Sequence, residues 1–116
     1  MPNTLIYHNP RCSKSRQTLQ LLQDKGITPE IKEYLKNPPT AEELQQILDL
    51  LKIKARDLLR TKEAQYKEAG LDNPSLDDHA IIEVMIQYPK LIERPIVIHQ
   101  GQARIGRPPE QVLELL

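Results

Sequence analysis

Residues 4–16 read Thr4-Leu5-Ile6-Tyr7-His8-Asn9-Pro10-Arg11-Cys12-Ser13-Lys14-Ser15-Arg16. The first five are short and apolar, bounded by Pro2 and by Asn9-Pro10, and they predict a buried strand. A helix is expected to begin around Cys12 and to run to Asp24 or Lys25. Leu19 and Leu22 lie three apart on one face, and Gly26 sits where a C-terminal cap belongs. Glu30–Leu35 then alternates, with Ile31, Glu33 and Leu35 on one side and Lys32 and Tyr34 on the other, which predicts a second strand. A helix joins the two strands, so they are expected to run parallel.

Beyond this β-α-β unit, Asn37-Pro38-Pro39 breaks the chain. Thr40 and Glu43 form a T-x-x-E capping box ahead of Leu44, Ile47, Leu48 and Leu51, which have helical spacing. Two short helices are expected over 55–60 and 62–69, the second stopped by Gly70. Ser75 and Asp78 are placed to cap another, with Ile81, Met85 and Tyr88 on its core stripe and an end before Pro89. Residues 96–99 and 103–105 predict brief strands joined as a hairpin across Gln100-Gly101-Gln102. Pro109 starts a closing helix over 110–116. A β-α-β unit, a helical block and a β-β-α unit make the layout of the thioredoxin-like α/β fold, with a helical insertion between its two halves. The chain has 116 residues, with no repeat and no linker, so residues 1–116 are expected to form a single domain.

Composition narrows the function classes. The hydrophobic share of 39% supports one ordinary core, and the absence of Phe and Trp makes that core aliphatic. Sixteen basic and sixteen acidic residues cancel, so no global field draws the chain to nucleic acid or to an anionic membrane, and neither is an expected partner. A lone cysteine cannot form an internal disulfide, and Met1–Leu5 shows no signal-peptide pattern, so the cytoplasm is the expected compartment. One cysteine with the dispersed His8, His79 and His99 offers no recognised ligand spacing, so no metal is expected.

Most free cysteines are small, buried, apolar residues. Cys12 differs in its charged flanks and in its position at the opening of a helix, where free N–H groups and the dipole favour an anion. An ordinary thiol has a pKa of ~8.5, so only about 3% is thiolate at pH 7. Lowering that value by ~2 units requires roughly 2.7 kcal/mol of preference for the charged form. A helix end supplies ~0.3–2 kcal/mol. Nearby cations must provide the rest, and His8, Arg11, Lys14 and Arg16 are close in sequence. Cys12-x-x-Ser15 has the form of a redox C-x-x-C pair with serine in the second slot. Without a second cysteine the chain cannot resolve its own thiol adduct, so any redox cycle needs an outside thiol.

Arg94-Pro95 precedes the apolar run Ile96-Val97-Ile98. In thioredoxin-like proteins a cis proline at the start of the third strand lies against the active cysteine, which makes Pro95 the cis candidate and aims Arg94 at Cys12. Arg107 follows the last predicted strand, and Arg60 ends a short helix. Guanidinium groups are permanently charged and carry forked donors that match the oxygens of a tetrahedral oxyanion. Spacing alone does not bring the three arginines together.

These features together resemble the glutaredoxin-coupled arsenate reductase (ArsC) family nearly end to end. The likeness runs through Tyr7-His8-Asn9-Pro10 before Cys12, Ser15-Arg16, Tyr34-Leu35 with Asn37-Pro38-Pro39-Thr40, Leu58-Leu59-Arg60, Arg94-Pro95-Ile96-Val97 and Arg107-Pro108. It implies reduction of arsenate to arsenite through a covalent Cys12–arsenic intermediate. Cys12 would be the nucleophile, His8 and Ser15 would tune its thiolate, and Arg60, Arg94 and Arg107 would bind the oxyanion. Glutathione would be the co-substrate, glutaredoxin the protein partner and a monomer the working form, with no bound cofactor. Arg11, Ser13 and Lys14 depart from the smaller, uncharged residues of well-studied members. The end at Leu116, without the extension of some relatives, is similar to a short chromosomally encoded branch. Two alternatives share the fold. One is a glutathione-dependent thiol–disulfide oxidoreductase. The other is a regulator of the Spx type that binds RNA polymerase, against which Ser15 in the second slot and the full arginine set both argue.

Overall fold

The computed structural model describes residues 4–116. The chain divides into two compact units, Met1–Asn37 with Arg94–Leu116, and Pro38–Glu93.

The first unit is a four-stranded sheet in the order β2-β1-β3-β4. The strands are β1 (Thr4–Tyr7), β2 (Glu30–Lys32), β3 (Ile96–His99) and β4 (Gln102–Ile105). β2 runs parallel to β1, with Tyr7 opposite Lys32. β3 runs antiparallel to β1, pairing Tyr7 with Ile96, and β4 antiparallel to β3, pairing Ile96 with Ile105. The carboxyl ends of β1, β2 and β4 and the start of β3 therefore share one end of the sheet. Helix α1 (Ser13–Asp24) supplies the crossover between β1 and β2. Its last turn closes as expected, with Gly26 at φ 79 accepting the left-handed position that a Cβ disfavours. Ile6, Leu22, Val97, Val112 and Leu115 form the core, packed by Leu19 and Ile27. Burying each such side chain contributes about 1.5–3 kcal/mol. This is the thioredoxin-like arrangement of β-α-β and β-β-α halves.

Two details of this unit differ from the sequence-based expectation. The second strand stops at Lys32 and turns, leaving Ile31 46% exposed while Tyr34 is buried. The apparent alternation past Lys32 thus belongs to a turn that tucks one ring inward. The closing segment Pro109–Leu115 is a 3-10 helix, with Pro109, Val112 and Leu115 at its three-residue period all buried.

The second unit is the helical insertion. The capping box of α2 (Ala41–Leu51) is formed: Glu43 N donates to Thr40 Oγ1 at 3.1 Å and Thr40 N to Glu43 Oε1 at 3.0 Å. Residues 55–58 are a 3-10 turn, and the next helix, α3, is shorter than expected at Ala64–Glu68. The last, α4 (Asp78–Gln87), is capped by Asp77, whose Oδ1 accepts from Ala80 N at 2.8 Å; Ser75 lies instead in the preceding turn. Tyr88 follows the helix and is 37% exposed, so the core stripe ends at Met85. An isolated antiparallel bridge joins Leu59 to Ile92, and Arg60 N donates to Leu91 O at 2.8 Å.

Candidate active site around Cys12

Cys12 stands immediately before α1 as its N-cap, with extended backbone angles of φ −94 and ψ 123. Its N–H donates to Asn9 O at 3.0 Å, and its carbonyl accepts from Arg16 N at 3.0 Å, so the loop after β1 closes directly onto the helix. The thiol is partly exposed. Burial pushes its pKa up, but the Ser15 backbone N–H, the Arg94 guanidinium and the Lys14 N–H outweigh that penalty and hold the thiol below its ordinary value. The two amides act on the sulfur through the open end of the helix rather than through a formed cap hydrogen bond.

The cations that act on the sulfur are not its sequence neighbours. Arg11, Lys14 and Arg16 have exposed side chains, and Arg16 Nη1 donates to Pro10 O at 2.9 Å. Arg94 and Arg107 come from the far side of the sequence, at the start of β3 and just past β4. Arg107 Nη2 lies 3.7 Å from Cys12 Sγ, and its Nε donates to Arg94 O at 2.8 Å. The Arg94–Pro95 and Arg107–Pro108 peptide bonds are both cis.

His8 and Ser15 form a buried pair beneath the loop. His8 Nδ1 and Ser15 Oγ are 2.6 Å apart, and Ser15 Oγ also accepts from Asn9 N at 3.0 Å. Burial holds the His8 pKa below its ordinary value, with Glu33 opposing that shift and Arg16 adding to it. A neutral ring whose Nδ1 accepts from the Ser15 hydroxyl fits this geometry. His8 therefore acts on the loop through Ser15. Arg60 lies in the second unit, where Nη1 is 3.8 Å from Glu63 and Nε 3.8 Å from Glu93. Its Nη1 is buried and finds no hydrogen-bond partner among the described residues.

Gly106 carries no sequence signal of turn or motif, yet the site depends on it. A Cβ there would stand 2.5 Å from Thr18 Oγ1 and 2.7 Å from Pro95 Cγ. Its N–H donates to Pro95 O at 2.9 Å. Only a residue without a side chain lets β4 approach α1 and Pro95 this closely. Among the described residues no group of three His, Cys, Asp or Glu side chains could hold a metal, and no helix is long and apolar enough to cross a membrane.

The ArsC family profile matches residues 7–115 of this chain. The chain belongs to the ArsC family. Similar members include the uncharacterised protein YfgD of Escherichia coli K12, 54% identical over 96% of this chain and 94% of the relative. The arsenate reductase of Haemophilus influenzae is 49% identical over 98% of this chain and 99% of its own. Among solved ArsC family structures, the arsenate reductase from Vibrio cholerae superposes with a TM-score of 0.96 at 51% identity, covering 99% of this chain and 98% of that one.

Proposed function

We propose that this protein reduces arsenate to arsenite, with Cys12 as the nucleophile. The observation that carries the reading is the sulfur of Cys12 at the open end of α1, with Arg107 Nη2 3.7 Å away and Arg94 lowering its pKa. A thiolate in that position faces permanent cations suited to a tetrahedral oxyanion. The names of similar family members support arsenate as that oxyanion.

In the proposed cycle the Cys12 thiolate attacks arsenic. A sulfur–arsenic bond forms, an arsenic–oxygen bond breaks, and the oxygen leaves as water after taking up two protons. Arg94 and Arg107 stabilise the charge on the remaining oxygens as it builds. The resemblance implies the same role for Arg60. Two outside thiol equivalents then become a disulfide. Their two electrons take arsenic from As(V) to As(III), arsenite departs, and Cys12 returns as a thiol. Glutathione is the proposed first thiol and glutaredoxin the partner that completes the exchange. The lone cysteine requires some such external pair.

A coupled assay with glutathione, glutaredoxin and glutathione reductase tests this reading. Arsenate-dependent oxidation of NADPH is expected from the wild-type chain and none from Cys12→Ser. Equal rates from the two proteins would remove Cys12 as nucleophile. Reduction of a disulfide substrate with no response to arsenate would assign the chain to thiol–disulfide exchange instead.

A further inference from the structure

β1 and β2 are parallel, with Tyr7 opposite Lys32, so their carboxyl ends lie side by side. β1 runs into the loop that Cys12 closes, and β2 runs into the turn that carries Glu33 and Lys36. Between loop and turn is a cavity of about 230 Å3, walled by Asn9, Pro10 and Arg11 on one side and by Glu33, Leu35 and Lys36 on the other. The strand order β2-β1-β3-β4 fixes its relation to the thiol. Arg94 and Arg107 approach Cys12 from the β3 and β4 flank, and this cavity opens on the opposite flank, beside β2.

We propose that this cavity docks the amino-acid head group of the outside thiol, a small γ-glutamyl-type peptide thiol. The inference rests on the reading above for its need of an external thiol, but the docking itself does not require arsenate. Its first support is access. Arg107 Nη2 stands 3.7 Å from the sulfur on the β3 and β4 flank, and in the proposed docking the second reactant approaches from the β2 flank. Its second support is charge. Arg11 and Lys36 are cations for a carboxylate, and Glu33 is an anion for an ammonium. An α-amino-acid head carries both groups on one carbon. Lys36 Nζ and Glu33 Oε1 already stand 3.6 Å apart, with side chains 76% and 39% exposed. Such a solvated pair is weak, so a zwitterion can replace it at little cost.

Size gives a third support. Cavities for drug-sized ligands are ~300–1,000 Å3. The smaller volume here takes one end of a tripeptide and leaves the thiol arm free to cross Pro10 and Arg11 toward Cys12. Pro10 and Leu35 give the methylene groups of the head an apolar wall.

The test uses S-methylglutathione, which cannot exchange thiols, added to the whole protein and followed by amide NMR shifts. Shifts are expected over 9–11 and 33–36. Lys36→Glu and Glu33→Lys should each weaken binding roughly tenfold, the loss of one charge-assisted contact. N-acetyl-S-methylglutathione, which lacks the ammonium, should bind the unaltered protein worse than the parent compound, so the test survives a variant that fails to fold. In the coupled assay both substitutions should raise KM for glutathione. Absence of binding, shifts confined to the Arg94 and Arg107 flank, or indifference to both substitutions and to acetylation would overturn the site. A protein inactive toward arsenate that still binds at 33–36 keeps this site and loses the proposed function. An arsenate reductase whose thiol KM ignores both substitutions keeps the function and loses the site.

Discussion

Arg107 holds Arg94 by its backbone: Nε of Arg107 donates to the Arg94 carbonyl oxygen at 2.8 Å, while Nη2 of the same guanidinium lies 3.7 Å from Cys12 Sγ. One planar group thus fixes the start of β3 and faces the thiol. Lysine keeps the charge but cannot make both contacts, because an ammonium lacks the rigid fork. Arg107→Ala is expected to lower kcat/KM for arsenate by about 10²–10³, or roughly 2.7–4 kcal/mol of transition-state stabilisation. Arg107→Lys should recover little of that loss. The coupled assay measures both, and circular dichroism should show each variant folded. Near-complete rescue by lysine would mean that charge alone matters at this position.

Arg94 is the side chain that most directly favours the thiolate, by hydrogen bonding and by charge. Its removal leaves burial, which favours the neutral thiol, opposed by the helix-end amides and by the Arg107 guanidinium 3.7 Å from the sulfur. The rate of Cys12 alkylation by iodoacetamide, followed against pH, should show a midpoint below the ordinary ~8.5 in the wild type. Arg94→Ala should move that midpoint upward, and Arg94→Lys should move it less. An unchanged midpoint in Arg94→Ala would assign the activation to the helix end and Arg107, with no share for Arg94.

The strands and α1 were legible because their patterns are local: apolar runs bounded by proline, Leu19 and Leu22 on one helix face, Gly26 past the end. The capping box at Thr40 and Glu43 was legible for the same reason. Misreadings fell where a local pattern admitted two answers. Ser75 and Asp78 have the spacing of a capping pair, but α4 begins at Asp78 and Asp77 is its cap, with Ser75 left in the preceding turn. Tyr34 continues an alternation beyond the last paired residue of β2 and is buried from a turn instead. At the site, Cys12 was legible from its flanks and Arg94 from its place before Pro95, but spacing alone did not bring Arg107 to the sulfur. Arg11, Lys14 and Arg16 are near in sequence and exposed, whereas Arg94 and Arg107 reach the sulfur only because β3 pairs back onto β1 and β4 onto β3. Gly106 was invisible for a related reason, since its need is set by Thr18 and Pro95, both distant in sequence.

His8 predicts a pH dependence of stability. Its folded pKa lies below the ordinary value of about 6.5, mainly through burial. Between the two values the unfolded chain binds more protons than the folded one, so stability rises with pH there. The contribution is whole above about 6.5 and is lost as pH falls through the folded value. Protonation also ends the ability of Nδ1 to accept from the Ser15 hydroxyl, which is 2.6 Å away in a buried setting. Urea unfolding at pH 8 and at pH 5 should show a larger loss for the wild type than for His8→Gln, which has no proton to gain. Equal losses would show that His8 is as easily charged folded as unfolded.

Gly106→Ala tests whether close packing, rather than charge, sets the position of the arginines. The added methyl would meet Thr18 Oγ1 at 2.5 Å and Pro95 Cγ at 2.7 Å, distances at which something must move. Thr18 is fully buried, and its hydroxyl already donates to Lys14 O at 2.8 Å, so it has little room to yield. The end of β4 should shift instead, and Arg107 is the next residue. Overpacking of this kind costs about 1–3 kcal/mol. The variant should therefore unfold at lower urea and lose arsenate turnover together. The double variant Gly106→Ala with Thr18→Ser removes the Cγ2 methyl that lies 3.1 Å from the new Cβ but keeps the hydroxyl clash. Gly106→Ala with Thr18→Ala removes both contacts with Thr18 and leaves the one with Pro95. Stability should recover further in the second double variant than in the first. If turnover recovers in step with stability, the packing of β4 against α1 places Arg107. If stability returns while turnover does not, the contact with Pro95 displaces the arginines by itself.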